Sequence, residues 1–379
     1  MLRAFKFRIY PKPDQEKRLN RSLFLLCNLY NDLKAEEVKR YAEEHKSTSL
    51  AMFRRSALSK RKQETILQSI HSQVVQNVGD RIHRSFRNFF EGRSNFPRWK
   101  KQPRYNSLTY PLSGFKLDSA RGLWLSRVGY VRIFLHRPLR GDIRRLTIKR
   151  QADGWHAIFV SELESPAKTP PKEIHLDRVC GADLGLEKFA VLNDATAFEY
   201  PRFLRESEEK LKGLQSHSAR KVKGSRHQRV LGKRLARMHL HVRRQRQDFQ
   251  SKLIHEIFKE IDVLVLEKLS IRSMKRNHNL AKAISDAAWG KFAQKAVSKA
   301  ESLGKYTIFV DPWGTSQCCH NCLNWVPKSL GNREHKCAHC GVVISRDLNS
   351  ALLIKRLGIL SSPTPDGVCH SRSEGLCPP

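Results

Sequence analysis

Residues 178–193 read RVCGADLGLEKFAVLN. Val179, Cys180 and Ala182 form a short apolar approach to Asp183, and Phe189, Ala190, Val191 and Leu192 resume the apolar run after Gly185. This pattern predicts a strand, a tight turn and a returning strand. Glycines at 181 and 185 flank the acid and allow a phosphate or metal to approach the backbone. Asp183 is therefore a candidate metal ligand, although Asp-x-Gly also marks ordinary turns. What decides between the two is whether further acids join it.

Working outward, Val263-Leu264-Val265-Leu266 is an apolar run typical of a central buried strand, and it ends on Glu267. A carboxylate there is costly unless Lys268, another base or a metal neutralises it. The third acid, Asp347, opens a segment in which Leu352, Leu353, Ile354 and Leu357 recur on a helical period. It is either a helix N-cap or a ligand. If Asp183, Glu267 and Asp347 converge, they form a cage for two Mg²⁺ ions about 4 Å apart, suited to phosphodiester hydrolysis. No catalytic Ser-His-Asp or phosphate-loop motif competes with this reading.

Between the second and third acids lie Cys319-x-x-Cys322 and Cys337-x-x-Cys340, with fourteen residues between the pairs. That is the spacing of a four-cysteine zinc ribbon, a structural site with no open ligand position. Cys318, His320 and His339 are spare donors. Two matched pairs argue against a redox motif, and five of the nine cysteines in one window point to metal and a reducing compartment. Cys27 and Cys180 sit in apolar surroundings and read as core.

The chain has 379 residues, enough for two or three domains. Its 71 Lys and Arg against 36 Asp and Glu leave a net charge of +35, which calls for a polyanionic partner. Nucleic acid fits better than a membrane surface, because the longest apolar runs are too short to span and no secretory signal is visible.

Residues 2–10 alternate basic and apolar side chains as a half-exposed strand does. From Asp14 to about Glu91 the period is helical, with one stripe over Leu19–Tyr30 and a second running from Ile66 and Ile70 through Phe90. Gln73, Gln76 and Asn77 lie along the second stripe, either reading base edges or simply solvated. Asn95–Arg104 mixes proline, aromatic and basic residues, Arg98 among them, as a stacking and phosphate-gripping loop or a plain linker would. Short strand-like segments from Ser107 to Leu163 predict a small antiparallel barrel that the first strand can close. Residues 165–172 (SPAKTPPK) mark a domain boundary. Leu204–Ile261 is helical, and its stretch from Lys212 to Arg246 contains no acid. Arg220, Lys221, Lys223, Arg226, Arg229, Lys233, Arg234 and Arg237 there predict a nucleic-acid groove. A further helix spans Ala281–Leu303, a strand Tyr306–Val310, and the tail from Leu360 reads as disordered.

In order, Gly181-Ala182-Asp183-Leu184-Gly185, Leu266-Glu267-Lys268-Leu269, Ser285-Asp286-Ala287-Ala288-Trp289-Gly290, Thr315-Ser316-Gln317, the two cysteine pairs and Arg346-Asp347-x-Asn349-x-Ala351 resemble the transposon-encoded TnpB family. Phe5–Pro11, Tyr30-Asn31, Gln76-Asn77, Asn88-Phe89-Phe90 and Phe96-Pro97-Arg98 resemble its opening. The resemblance implies an α+β multidomain chain: a RuvC-like nuclease of RNase H fold over 173–314 and 344–359, a zinc ribbon inserted at 315–343, a wedge barrel of 1–12 with 106–172, a helical recognition domain over 13–105, and a disordered tail at 360–379. It further implies a prokaryotic, cytoplasmic, nucleoid-associated protein, with a monomer favoured, that takes a guide RNA from its transposon end and cuts double-stranded DNA beside a short adjacent motif. Asp183, Glu267 and Asp347 match the family's Mg²⁺-binding catalytic triad, and Cys319, Cys322, Cys337 and Cys340 its zinc ligands. Two positions depart from the pattern: Leu323 stands where a glycine commonly follows the first cysteine pair, and Ser345 where an acid commonly precedes the arginine. The alternative reading is a guided DNA-binding repressor of the same architecture.

Overall fold

The structure, a computed structural model, describes residues 1–118, 120–168, 170, 174–329 and 331–360. Residues 361–379 of the expected tail lie outside the described residues. The chain forms two compact units, Met1–Glu164 and Ser165–Pro379.

In the first unit, strand β1 (Leu2–Tyr10) turns Phe5, Phe7 and Ile9 into the core and leaves Arg3 exposed and Lys6 and Arg8 half-buried, as its alternation predicts. Three helices follow, α1 (Pro13–Glu44), α2 (Leu50–Gln63) and α3 (Ser72–Phe90). The second apolar stripe is broken before α3: Leu67–Ser69 is a 3₁₀ turn, Ile66 is exposed, and helix resumes only at Ser72. Gly79 lets α3 touch α2, since a Cβ there would stand 2.9 Å from the Phe53 carbonyl carbon. Six strands complete the unit: β2 (Ser107–Tyr110), β3 (Phe115–Asp118), β4 (Gly122–Leu125), β5 (Gly129–Phe134), β6 (Asp142–Gln151) and β7 (Gly154–Glu162).

The expected closed barrel is not what these strands build. They make one seven-stranded sheet in the order β2-β6-β7-β1-β5-β4-β3, with β1 inside it rather than at a seam. β1 pairs with β7 from Leu2 to Ile9, but with β5 only over Arg8–Tyr10. The end strands β2 and β3 are consecutive, and the Tyr110 and Phe115 rings lie 6.3 Å apart. The sheet thus curls until its edges approach, yet no strand pairing joins them among the described residues.

The second unit is built on a five-stranded sheet, β10-β9-β8-β11-β12. Its strands are β8 (Val179–Asp183), β9 (Lys188–Leu192), β10 (Ala197–Glu199), β11 (Val263–Glu267) and β12 (Tyr306–Val310). β8, β11 and β12 run parallel, β9 runs antiparallel to β8, and β10 runs antiparallel to β9. Between them come α4 (Phe203–Ala219), α5 (Arg226–Glu260), the single turn α6 (Ile271–Met274), α7 (His278–Ala287) and α8 (Trp289–Leu303). The helix expected over Ala281–Leu303 is two, because Ala288 adopts φ 54° and turns the chain between α7 and α8. Strands β13 (Glu334–Lys336) and β14 (Val343–Ser345) form the ribbon hairpin, and α9 (Arg346–Leu360) follows directly.

β11 explains why its sequence is apolar without alternation. Leu264 and Leu266 face a core made with α5 and α8, while Val263 and Val265 face a second core made with Leu353, Ile354 and Leu357 of α9. A strand covered on both faces has no polar side. Among the described residues no helix is long and apolar enough to cross a membrane.

Candidate active site

The parallel register that pairs Leu266 with Ala182 sets the next residues, Glu267 and Asp183, side by side at the carboxyl ends of β11 and β8. Asp347 arrives from the other side of the chain. A Cβ at Gly181 would stand 2.2 Å from the Ala351 carbonyl oxygen and 2.5 Å from the Lys355 nitrogen, so only glycine lets α9 lie this close on β8. Gly358 makes the same close approach to Val265. With α9 seated across β8 and β11, Asp347 in its first turn reaches the acids at the strand ends. Gly181 therefore serves helix packing, whereas Gly185 forms the tight turn, its absent Cβ 2.9 Å from the Lys188 carbonyl oxygen.

The helix cap at this point is Ser345, whose hydroxyl accepts from the Leu348 N–H at 3.3 Å. Asp347 is thereby released from capping. Asp183 senses the other two acids: burial, then the charges of Glu267 and Asp347, push its carboxyl well above the usual carboxylate range, against a smaller opposing pull from Arg346. Burial also raises Glu267, and the buried Thr315 hydroxyl donates to its Oε1 and partly offsets the rise. Arg346 approaches Asp347 at 3.4 Å. Three carboxylates offering only oxygen donors suit a hard divalent cation such as Mg²⁺. Among the described residues, however, only the cysteine set has all its donor atoms within 4.8 Å of one another.

That set is Cys319, Cys322, Cys337 and Cys340, with sulfur separations of 3.6 Å for Cys319–Cys340 and 3.5 Å for Cys322–Cys337. A tetrahedron with Zn–S bonds of about 2.3 Å has edges of roughly 3.8 Å, so the four sulfurs fit a structural zinc. The spare donor His320 is engaged elsewhere. Its backbone N–H and ring Nδ1 meet Asn349 Oδ1 at 3.0 and 3.1 Å, while Asn349 Nδ2 donates to the Cys318 carbonyl at 2.8 Å. Arg356 donates to the carbonyls of His320 and Asn321 at 2.9 Å. Asn349 and Arg356 thus tie the first cysteine pair to the helix that carries Asp347.

The nucleic-acid candidates divide. Arg220, Lys221, Lys223, Arg226, Arg229, Lys233, Arg234 and Arg237 are exposed along the α4–α5 turn and the first half of α5. Arg246, at the end of the acid-free stretch, is instead half-buried and paired with Asp286 at 2.8 Å. Gln73 is half-buried, and its Oε1 accepts from the Leu112 and Ser113 N–H groups. Asn77 bonds Asp80 and Arg81, and Gln76 is half-buried on the same helix. Arg98 is exposed between Phe96 and Trp99, whose rings flank the Lys34 ammonium at 5.3 and 3.8 Å. Sequence reasoning gave no role to Thr315, Asn349 or Arg356. The first two stand in the motifs that carry the family resemblance, whereas nothing local marks Arg356. Cys180 is core, its thiol pushed up to about 12 by burial.

Three family models match the chain: a probable transposase (OrfB_IS605) over residues 159–278, a Cas12f1-like TNB domain over 289–354 and a helix-turn-helix domain over 1–46. Residues 1–46 hold β1 and the single uninterrupted helix α1, with no turn between two helices. A putative RNA-guided DNA endonuclease of Streptomyces pristinaespiralis is 28% identical over 98% of this chain and 92% of its own length. The putative RNA-guided DNA endonuclease InsQ of Escherichia coli is 26% identical over 94% and 92%. A TnpB-like protein of Acanthamoeba polyphaga mimivirus, L79, is 22% identical over 93% of this chain and 73% of its own.

Proposed function

From its kinship with the OrfB_IS605 and TnpB-like proteins, we propose that this chain is an RNA-guided DNA endonuclease that hydrolyses phosphodiester bonds. The observation that carries the reading is the approach of Asp183, Glu267 and Asp347, from three separate segments, at the carboxyl ends of β8 and β11, where Asp183 feels the charge of the other two. These three would hold Mg²⁺, which when bound supplies an activated water and stabilises the leaving 3′ oxygen. Thr315 orients Glu267, Arg346 tempers the negative charge around Asp183, and Ser345 keeps Asp347 free of the cap. The four cysteines would hold zinc and fix the ribbon against α9.

In this reading a guide RNA transcribed from the transposon end selects the target by base pairing, and the protein grips the backbone through exposed basic residues from Arg220 to Arg237. The sheet of 1–12 and 106–172 would act as the wedge, 13–105 as the recognition region, and 173–314 with 344–359 as the nuclease domain.

The test is purification with RNA from the flanking DNA, followed by plasmid cleavage with and without Mg²⁺. Guide-dependent cutting that stops in Asp183→Ala supports the nuclease. Binding without cutting identifies the guided repressor, and cutting by Asp183→Ala removes the triad assignment. A second readout follows from the raised Asp183 pKa. A carboxyl raised on folding favours the folded state fully below its unfolded pKa, and that contribution is lost as pH rises through the folded value. Asp183→Asn should therefore raise the melting temperature of the metal-free protein at neutral pH, and Mg²⁺ should stabilise the wild type more than the variant.

A further inference from the structure

Beside Glu267 lies a cavity of about 300 Å³, lined by Leu184, Leu269, Ile271, Trp289, Ala293 and Phe309 among others. Its wall is apolar apart from Glu267 and Lys268, and Lys268 is exposed. Trp289 is buried, and its indole N–H has no hydrogen-bond partner among the described residues. Gly290 keeps the cavity open: its absent Cβ would meet nothing nearer than Ile271 Cγ1 at 3.7 Å. Nothing in the fold needs this position to be glycine, and a methyl there would narrow the cavity without a clash.

We propose that this cavity receives one nucleobase of an unpaired DNA strand, next to the phosphate being cut. The inference rests on the nuclease reading of Asp183, Glu267 and Asp347. A phosphodiester held at Glu267 carries bases on either side, and one of them must leave its stack to reach a slot whose wall includes the acid itself. A base is flat, with a π-face for Phe309 and the leucines that line the slot. Lys268 at the cavity is placed to meet a phosphate of the same strand. The slot thus makes the site selective for unpaired strands, because a base still paired in a duplex cannot enter.

The test uses the full chain with its co-purified RNA in the Asp183→Asn background, so that bound DNA stays intact. The probes are single-stranded deoxyoligonucleotides carrying one 2-aminopurine at successive positions, and an abasic counterpart of each. One position should change its fluorescence on binding, and an abasic nucleotide there should weaken binding about tenfold. Ala293→Leu, which fills the slot, should abolish both effects, and Gly290→Ala should reduce them. Thermal melting shows whether Ala293→Leu has folded, and Gly290→Ala carries the test if it has not. Equal fluorescence, affinity and abasic response in parent and both slot variants would overturn the inference. Plasmid cutting by the chain with Asp183 intact is followed separately: cutting with unaltered slot variants sinks the slot alone, and slot effects without cutting sink the nuclease reading alone.

Discussion

In the second cysteine pair the residue after Cys340 is Gly341, at φ 73°, and in the first the residue after Cys322 is Leu323, at φ 61°. The backbone turns are otherwise the same. Gly341 N–H donates to the Cys337 carbonyl at 2.9 Å and Leu323 N–H to the Cys319 carbonyl at 3.0 Å; Cys337 N–H reaches Val342 and Cys319 N–H reaches Asn324 at 2.9 and 3.0 Å. In both, a backbone N–H two residues on pulls the second thiol down, Cys340 below its usual value and Cys322 to about 6. A left-handed leucine costs about 1–2 kcal/mol where glycine costs almost nothing. The first turn offsets this by packing. Leu323 and Trp325 lie against the core of Val310, Leu353 and Ile354, and Asn349 and Arg356 bond the turn to α9. The same metal turn is thus an appendage at one end and part of the wall beside the acids at the other.

The largest effect that sharpens this contrast belongs to Asp347→Ala, expected to cut DNA cleavage at least a thousandfold with zinc content unchanged. Loss of zinc in that variant would mean that the acid, not Asn349, holds the first pair in place. Asn349→Ala comes next. It removes the bonds that Asn349 makes to the Cys318 carbonyl and the His320 N–H, and should lower cleavage about ten- to a hundredfold while zinc stays bound. A variant that cuts normally would show that the tie does not position α9.

A smaller effect concerns pH. His335 is buried in the ribbon beside Lys328, and desolvation, then the Lys328 charge, holds its pKa down to about 4. A base depressed on folding contributes stability above its unfolded value near 6.5 that is lost as pH falls through the folded one. Ribbon stability should therefore decline between about pH 6.5 and 4, and His335→Gln should show a shallower decline in chemical unfolding. The smallest changes are a reciprocal pair. Leu323→Gly relieves the left-handed strain but loses packing, and should shift stability by no more than about 1 kcal/mol. Gly341→Leu gains no packing and should cost about 1–2 kcal/mol. Equal effects of the two would erase the distinction between the turns.

Much of the second unit was legible because its signals are local. β8, β9, β11 and β12 follow from short apolar runs, and the gathering of the four cysteines from paired spacing. Errors arose where a local pattern continued past a break that only three dimensions explain. The stripe through Ile66 and Ile70 is not one helix, Ala281–Leu303 bends at Ala288, and the predicted barrel is an open curled sheet whose end strands β2 and β3 do not pair among the described residues.

The sequence by itself determined which acids and thiols are present, which stand at strand ends, and that a polyanion is the natural partner of so basic a chain. Periodicity, spacing and charge are properties of neighbours along the chain, and they are written there. Tertiary structure alone decided that α9 lies on Gly181 and so carries Asp347 to β8 and β11, that Ser345 rather than Asp347 caps the helix, and that an apolar cavity opens beside Glu267. Each of these depends on atoms far apart in sequence meeting at van der Waals distance, and no local pattern encodes that meeting.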